Sequence, residues 1–446
     1  QPGLSLMIFG QYFNRHESWA EMAKPWVDYM ARTGFLLQQG RDHADVAYFY
    51  GEDQPITSLF EHGVPADLPT RYAYDFVNAD IVANRMRVEK GELVAGEARY
   101  KALYLGGSSR VMTLGTLQRI AALVERGATV IGMAPERSPA LQDDPAAFQA
   151  LVRRLWGGAP HGKGRVIASQ QVEAALAQTG TGPDFRISAG ASDADYRFVH
   201  RKLAGGDLYF VNNRTTDSGR IEAHFRVTGK RPEIWRAMDG RTAPLSYRVE
   251  GSETVMPIDV GAEDAFFILF RADADAPSAT LPQAQPRQLT RLDSPWTVQF
   301  QPGRGAPARI DMPALTPLDS SADKGGRYFS GVATYTTRFT LPHGVKAGDP
   351  LSIDLGQIGD VAEVRVNGQL AGTSWFAPYR LDIGKLVKPG ANMLEVKVAN
   401  LWVNRLIGDQ QPDAEKISFT AAPTYRPDAP LRPSGLIGPV TLWTQD

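Results

Sequence analysis

The spacing of apolar residues changes character along the chain, and each change predicts a different kind of element. Residues 4–9 form a short apolar run, as expected of a buried strand, and 10–17 read as a polar loop. Ser18 and Glu21 have the spacing of a capping box, in which Ser18 takes an amide at a helix start and Glu21 reaches back. Trp19, Met22, Trp26 and Met30 then recur at helical spacing, with Pro25 expected to kink the helix or restart it. A strand, a polar loop and a long helix make one β/α unit of something larger. Residues 1–41 are therefore read as the last repeat of a (β/α) barrel.

From 42 to 180 the signals alternate between strand and helix. Strands are predicted at 46–50, 100–105 and 129–133. Leu117, Ile120, Ala121 and Val124 lie on one face of a helix that Gly127 should terminate, and 146–156 predicts a further helix. Tyr72, Tyr74, Asp75 and Asn78 are read as a loop between strands. Strand-helix-strand order with short connections implies a parallel sheet of flavodoxin-like type.

After Gly180 the period becomes two. Strands at 197–201, 207–211, 224–227 and 265–270, separated by Gly, Asn and Asp turns, predict a β-sandwich over 181–273. Residues 274–287, rich in Ala, Pro and Gln, form a linker. A second β-domain follows over 288–446, with alternating strands at 334–339, 351–355, 362–366 and 394–398 and a hairpin turn at Asn367-Gly368. The proline-rich stretch 410–439 reads as loops draped over that domain. The fold class is thus multidomain, α/β plus all-β.

Composition narrows the chemistry. The 446 residues suffice for about three domains. Lys and Arg together number 48 against 49 for Asp and Glu, with no long block of either sign, which argues against a nucleic-acid partner. No apolar run reaches the length of a membrane span. With no cysteine there is no disulfide, thiolate metal site or cysteine nucleophile. The seven histidines are scattered, and no pair at i,i+4 with a carboxylate suggests zinc. Calcium, which takes only oxygen ligands, leaves a fainter trace. The turn Gly106-Gly107-Ser108-Ser109 lacks both the Walker lysine and the G-x-G-x-x-G spacing, so it reads as a plain βα turn.

Two places carry candidate chemistry. Tyr12, Asn14, Arg15 and Trp19 follow a barrel strand, where barrel enzymes place substrate contacts. Glu17 and Glu21 are not paired as acid and base, because Glu21 is explained as a cap. Trp375, Tyr379, Trp402, Asn404, Arg405 and Asp409 gather near the end of the chain, in a region of alternating strands followed by a loop at 401–409. Flat apolar faces beside fixed hydrogen-bonding groups suit a sugar, and all ten residues are candidate substrate contacts. The competing reading is that Trp375 and Trp402 close the sandwich core and that Arg405 and Asp409 pair to hold a loop.

The residues also support a resemblance. Gly10-Gln11-Tyr12-Phe13-Asn14-Arg15, Ser18-Trp19, Tyr29-Met30-Ala31-Arg32, Leu36-Leu37-Gln38-Gln39-Gly40 and the segment from Ala44 to Glu52 resemble the C-terminal half of glycoside hydrolase family 106 α-L-rhamnosidases. Glu363-Val364-Arg365-Val366-Asn367-Gly368, Pro378, Asn400, the segment from Asn404 to Asp409, and Ser434-Gly435-Leu436-Ile437-Gly438-Pro439 resemble the galactose-binding-like jelly-roll of family 2 glycosidases. The resemblance implies inverting hydrolysis of α-L-rhamnosides by two barrel glutamates, a calcium ion near the substrate, and a periplasmic or secreted location. It also implies that those glutamates precede residue 1, so that this chain works with an N-terminal catalytic part; its own catalytic residues stay unassigned. His16 and Glu17 stand where uncharged polar residues are expected, and no catalytic role is carried to either. Two other readings stay open: a non-catalytic carbohydrate-binding or scaffold protein, and a barrel glycosidase of β-galactosidase type.

Overall fold

The computed structural model describes residues 13–445 except 62, 159–161, 283–284, 413 and 421–422. The strand expected at 4–9, and Tyr12, lie outside the described residues. The chain forms two compact units, Arg32–Leu281 and a second made of Gln1–Ala31 with Pro282–Asp446.

Arg32–Leu281 contains a five-stranded parallel sheet built from Val46–Phe49, Tyr74–Val77, Ala102–Leu105, Thr129–Ile131 and Arg165–Ile167. Numbered in chain order, the strands lie 2-1-3-4-5 across the sheet. Val46–Phe49 and Ala102–Leu105 are buried at every position, as expected of parallel strands covered on both faces. The helix Leu114–Glu125 is capped by Thr113, which accepts from the Thr116 amide, and buries Leu117, Ile120, Ala121 and Val124. Gly127 follows it at φ 117°, a conformation glycine adopts without strain. Asp144 caps Pro145–Trp156, with proline in the first turn.

Two expectations change here. Tyr74–Val77 is a strand rather than a loop: Phe76 packs edge-on against Tyr48, and Tyr74 packs edge-on against Phe76. The strand expected over 100–105 is divided at Lys101, whose ammonium turns out to Glu92. Ala98–Tyr100 joins Met86–Glu89 and Glu92–Ala95 in a small antiparallel sheet, and only Ala102–Leu105 enters the parallel one.

The same unit holds an antiparallel sandwich. Its larger sheet runs Arg41–His43, Tyr196–Leu203, Gly206–Asn213, Ala265–Asp273, Lys230–Trp235 and Thr242–Pro244; its smaller one runs Phe185–Ala189, Gly219–Phe225, Glu253–Val260, Tyr247–Glu250 and Ser278–Ala279. Tyr209, Val211, Phe225, Phe266, Ile268 and Phe270 fill the space between. The strand expected at 224–227 begins at Gly219 and ends at Phe225. Arg41–His43 pairs with Tyr196–Leu203, so this edge strand joins two stretches far apart in sequence.

In the other unit, a four-stranded sheet (Pro286–Arg291, Thr441–Gln445, Leu351–Asp354, Arg380–Asp382) faces a six-stranded one (Arg309–Met312, Trp296–Phe300, Gly331–Thr340, Ala391–Asn400, Val361–Val366, Gln369–Ser374). Gly331–Thr340 alternates buried and less buried positions strictly, and Trp296, Tyr335, Ile353, Val364, Val396 and Leu442 are core residues. Asn367 and Gly368 take φ of 53° and 81°, the pair of positive values a type I′ hairpin requires. The capping box at Ser18 does not form: Trp19 precedes a single 3-10 turn, Ala20–Met22, with no side-chain cap. Pro25 explains this, because the helix restarts at Lys24 and runs Lys24–Leu37 with proline in its first turn.

Candidate functional site

Residues 13–19 form a tight turn with local hydrogen bonds. The Asn14 side chain accepts from the His16 amide at 2.8 Å, and the Glu17 amide donates to the Asn14 carbonyl at 3.1 Å. Asn14 and Arg15 are exposed. Trp19 stacks on Phe13 at 5.0 Å and meets Trp26 edge-on at 5.8 Å. Trp19 also packs with Met22, Val332, Val361, Ala399 and Trp375, and Trp375 meets Tyr29 edge-on at 5.5 Å. The structure therefore brings Trp19, a few residues after the exposed Asn14 and Arg15, together with Trp375. Tyr379 lies half-buried beside Asp360; burial raises the pKa of both groups, and the Asp360 carboxylate accepts from the Leu401 amide at 3.1 Å.

The remaining four candidates are buried. Residues 403–408 form a short helix, Val403–Gly408, where a loop was expected, and this turns the polar side chains inward. Trp402 is 4% exposed, with its Nε1 donating to the His16 carbonyl at 2.7 Å and the Arg304 guanidinium 4.2 Å above its ring. Asn404 exchanges hydrogen bonds with the Arg432 backbone at 2.7 and 2.8 Å. Arg405 donates to Asp409 at 3.0 Å, and Asp409 also accepts from the Ile417 and Ser418 amides at 3.1 and 2.8 Å. The pairing of Arg405 with Asp409 that the sequence allowed is the arrangement observed. These hydrogen bonds tie Trp402, Asn404 and Asp409 to other segments of the chain and Arg405 to Asp409.

The crevice of the parallel sheet, between the C-terminal ends of Val46–Phe49 and Ala102–Leu105, is where open α/β sheets bind ligands. Here a carboxylate of the chain itself fills it. Asp67 accepts from the Tyr48 hydroxyl at 2.9 Å, the Tyr104 hydroxyl at 3.0 Å and the Gly107 amide at 3.0 Å. Burial and this neighbouring carboxylate raise the pKa of both phenols. Asp67→Ala removes the acceptor of the buried Tyr48 hydroxyl and the Gly107 amide and leaves the Tyr104 hydroxyl only the Gln170 carbonyl at 3.2 Å, so unfolding in urea should show a loss of about 1–3 kcal/mol. An unchanged midpoint would show that the crevice does not need its internal anion.

A buried charged cluster that the sequence did not signal lies in the same unit. His200, on Tyr196–Leu203, places Nδ1 2.8 Å from Asp184 and Nε2 2.7 Å from Asp207. Since both nitrogens face carboxylates, both must donate, and the ring is an imidazolium. Tyr209 donates to Asp184 at 2.8 Å, and Arg226 bridges Asp45 at 2.6 Å and Asp184 at 3.4 Å. Lys202 caps Asp207, and the His43 ring meets His200 edge-on at 4.5 Å. Burial opposes the charge on His200, but Asp184 and Asp207 outweigh it and raise the pKa. Burial would likewise raise the Asp184 carboxyl, yet His200 and Arg226 hold it at about 2. His43 is lowered to about 4, because burial, with the nearby His200, Lys202 and Arg226 charges, outweighs the attraction of Asp184.

His43, Asp184 and His200 bring ligand atoms within 4.8 Å of one another, the metal-ligand grouping found among the described residues. The donor set does not fit calcium, which prefers an all-oxygen shell. Nor does it leave a lone pair on His200, whose two nitrogens are already committed. A proton and the Arg226 guanidinium supply the positive charge here.

Comparison with known proteins gives a consistent family. Residues 1–249 match a family profile described as α-L-rhamnosidase, glycoside hydrolase family 106. Residues 327–426 match the galactose-binding domain-like profile of glycosyl hydrolase family 2. A solved rhamnosidase from Novosphingobium sp. PP1Y is 52% identical with a TM-score of 0.88, covering 99% of this chain and 43% of its own. A curated protein of Formosa agariphila, described provisionally as a β-glucuronidase, is 23% identical over 99% of this chain and 58% of its own. The chain thus spans about half the length of these relatives.

Proposed function

Because the chain belongs to the α-L-rhamnosidase family glycoside hydrolase 106, we propose that it is part of a glycoside hydrolase removing terminal α-L-rhamnose from glycans or glycosides with inversion. The observation that carries this is the 52% identity to a rhamnosidase across 99% of the chain. In this reading residues 1–41 close a (β/α) barrel, 42–180 are a flavodoxin-like domain, 181–273 a sandwich and 288–446 a jelly-roll. The 2-1-3-4-5 strand order supports the second of these assignments.

The turn at 13–19 then supplies one wall of the active site, with Asn14 and Arg15 facing the sugar. Phe13, Val27 and Met30 expose 52%, 47% and 52% of their surface, as expected of an apolar face that packs on further barrel elements. Glu17 is buried and Glu21 sits on the next turn, so the catalytic carboxylates are assigned to the rest of the polypeptide. A calcium ion, if that part binds one, takes its ligands there. Action on extracellular glycans or glycosides would suit a periplasmic or secreted location, which we propose with it.

Proton NMR of an aryl α-L-rhamnoside during hydrolysis by the longer polypeptide tests the proposal. The β-anomer of rhamnose should appear first and the α-anomer later by mutarotation. Initial α-anomer would mean a retaining mechanism, and no rhamnose would sink the assignment.

A further inference from the structure

Trp402 cannot stack on a sugar as a free indole, because its ring lies under Arg304 and is 4% exposed. Its one heteroatom points instead to a carbonyl 386 residues away in sequence, that of His16. This carbonyl follows directly on Asn14 and Arg15. We propose that Trp402 is a positioning residue, whose N–H fixes the 13–19 turn so that Asn14 and Arg15 are held ready for the substrate; this rests on the reading that the turn forms part of the active-site wall.

The base of the anchor is rigid. Trp402 sits at the start of Val403–Gly408, and the next residues tie that helix to three other segments: Asn404 to the Arg432 backbone, the Arg405 amide to Ser330, and Asp409 to residues 417 and 418. The turn has a second attachment a few residues on, where Trp19 and Met22 pack against Val332, Val361, Ala399 and Trp375. Between those attachments the turn carries short-range hydrogen bonds, from the His16 amide to the Asn14 side chain and from the Glu17 amide to the Asn14 carbonyl. The two attachments fix its ends on the sandwich, and a site works only when its groups are held near the productive geometry. Asn404, Arg405 and Asp409 thereby gain a role as well: they stiffen the platform from which Trp402 reaches.

The test uses the complete enzyme and an aryl α-L-rhamnoside. Trp402→Phe keeps a flat ring under Arg304 but removes the donor. KM should rise about five- to tenfold, the worth of one hydrogen bond, with kcat within about twofold, since binding contacts and not the chemistry are displaced. Trypsin should also cleave after Arg15 faster than in the parent enzyme, a readout independent of catalysis. Arg304→Met, which alters packing on the same ring and leaves the N–H in place, should leave KM unchanged. If Trp402→Phe does not fold, Met22→Ala loosens the second attachment and should give the same rise in KM.

Asn14→Ala and Arg15→Ala separate the two ways of failing. If neither changes KM, the turn is not a substrate wall and the underlying reading falls. If both raise KM while Trp402→Phe and Met22→Ala leave KM and cleavage at Arg15 unchanged, the positioning role is overturned and Trp402 serves packing alone.

Discussion

Asp184→Asn should lower the stability of the Arg32–Leu281 unit by about 3–5 kcal/mol at about pH 6, the cost of leaving a buried charge without its partner. Asp184 is 1% exposed and meets His200, Tyr209 and Arg226 at once. Asparagine keeps the volume but removes the charge that holds His200 protonated and half of what Arg226 neutralises. Exposed ion pairs of this protein, such as Lys24 with Asp28, should by contrast be worth less than about 1 kcal/mol.

The pH dependence gives this prediction its sign. His200 has a raised folded pKa, so its contribution is complete below the unfolded value of 6.5 and is lost as pH rises through the folded one. Asp184 is lowered to about 2, so its contribution is present above 3.8 and is lost as pH falls toward 2. His43, lowered to about 4, stays neutral in the fold while the unfolded chain takes up a proton, so stability also falls as pH drops from 6.5 toward 4. Without Asp184 only Asp207 still favours the imidazolium, so the native state's preference for it is weakened. The deficit of Asp184→Asn should therefore shrink between about pH 6 and about pH 9, followed by urea unfolding. A deficit equal at both values would mean that His200 is not the charged centre of the cluster.

This cluster also shows where sequence reading stopped. His43, Asp45, Asp184, His200, Asp207 and Arg226 come from separate elements, and nothing in their spacing joins them. The available hint was a histidine inside an otherwise strand-like segment, which asks for a buried partner without naming it. Asp67 is a similar case, since its partners Tyr48, Tyr104 and Gly107 lie on two strands and a turn. Local patterns were far more legible. The face of Leu114–Glu125 and the alternation of Gly331–Thr340 arise from the periodicity of a single element, and the Asn367-Gly368 turn from two residues that tolerate positive φ. The capping box failed because Pro25 moved the helix start, a competition between two local signals. Trp402, Asn404, Arg405 and Asp409 read from the sequence as candidate sugar contacts, whereas the structure buries them and ties them to neighbouring segments, an outcome that burial, not spacing, decides.

The second large effect concerns substrate choice. At C5 a rhamnoside carries a methyl group, where a β-glucuronide carries a carboxylate and a β-galactoside a hydroxymethyl. A pocket shaped for the methyl group would have to strip water from that carboxylate without pairing it, which costs several kcal/mol. Discrimination of at least about a hundredfold is expected on that ground. The two relatives bear different descriptions, a rhamnosidase at 52% identity and a provisional β-glucuronidase at 23%, so the comparison decides between them. The measurement is kcat/KM of the longer polypeptide on the nitrophenyl α-L-rhamnoside, β-D-glucuronide and β-D-galactoside under one set of conditions. The rhamnoside should be preferred by that factor or more over both; turnover of the glucuronide or galactoside at an equal or higher kcat/KM would contradict the account.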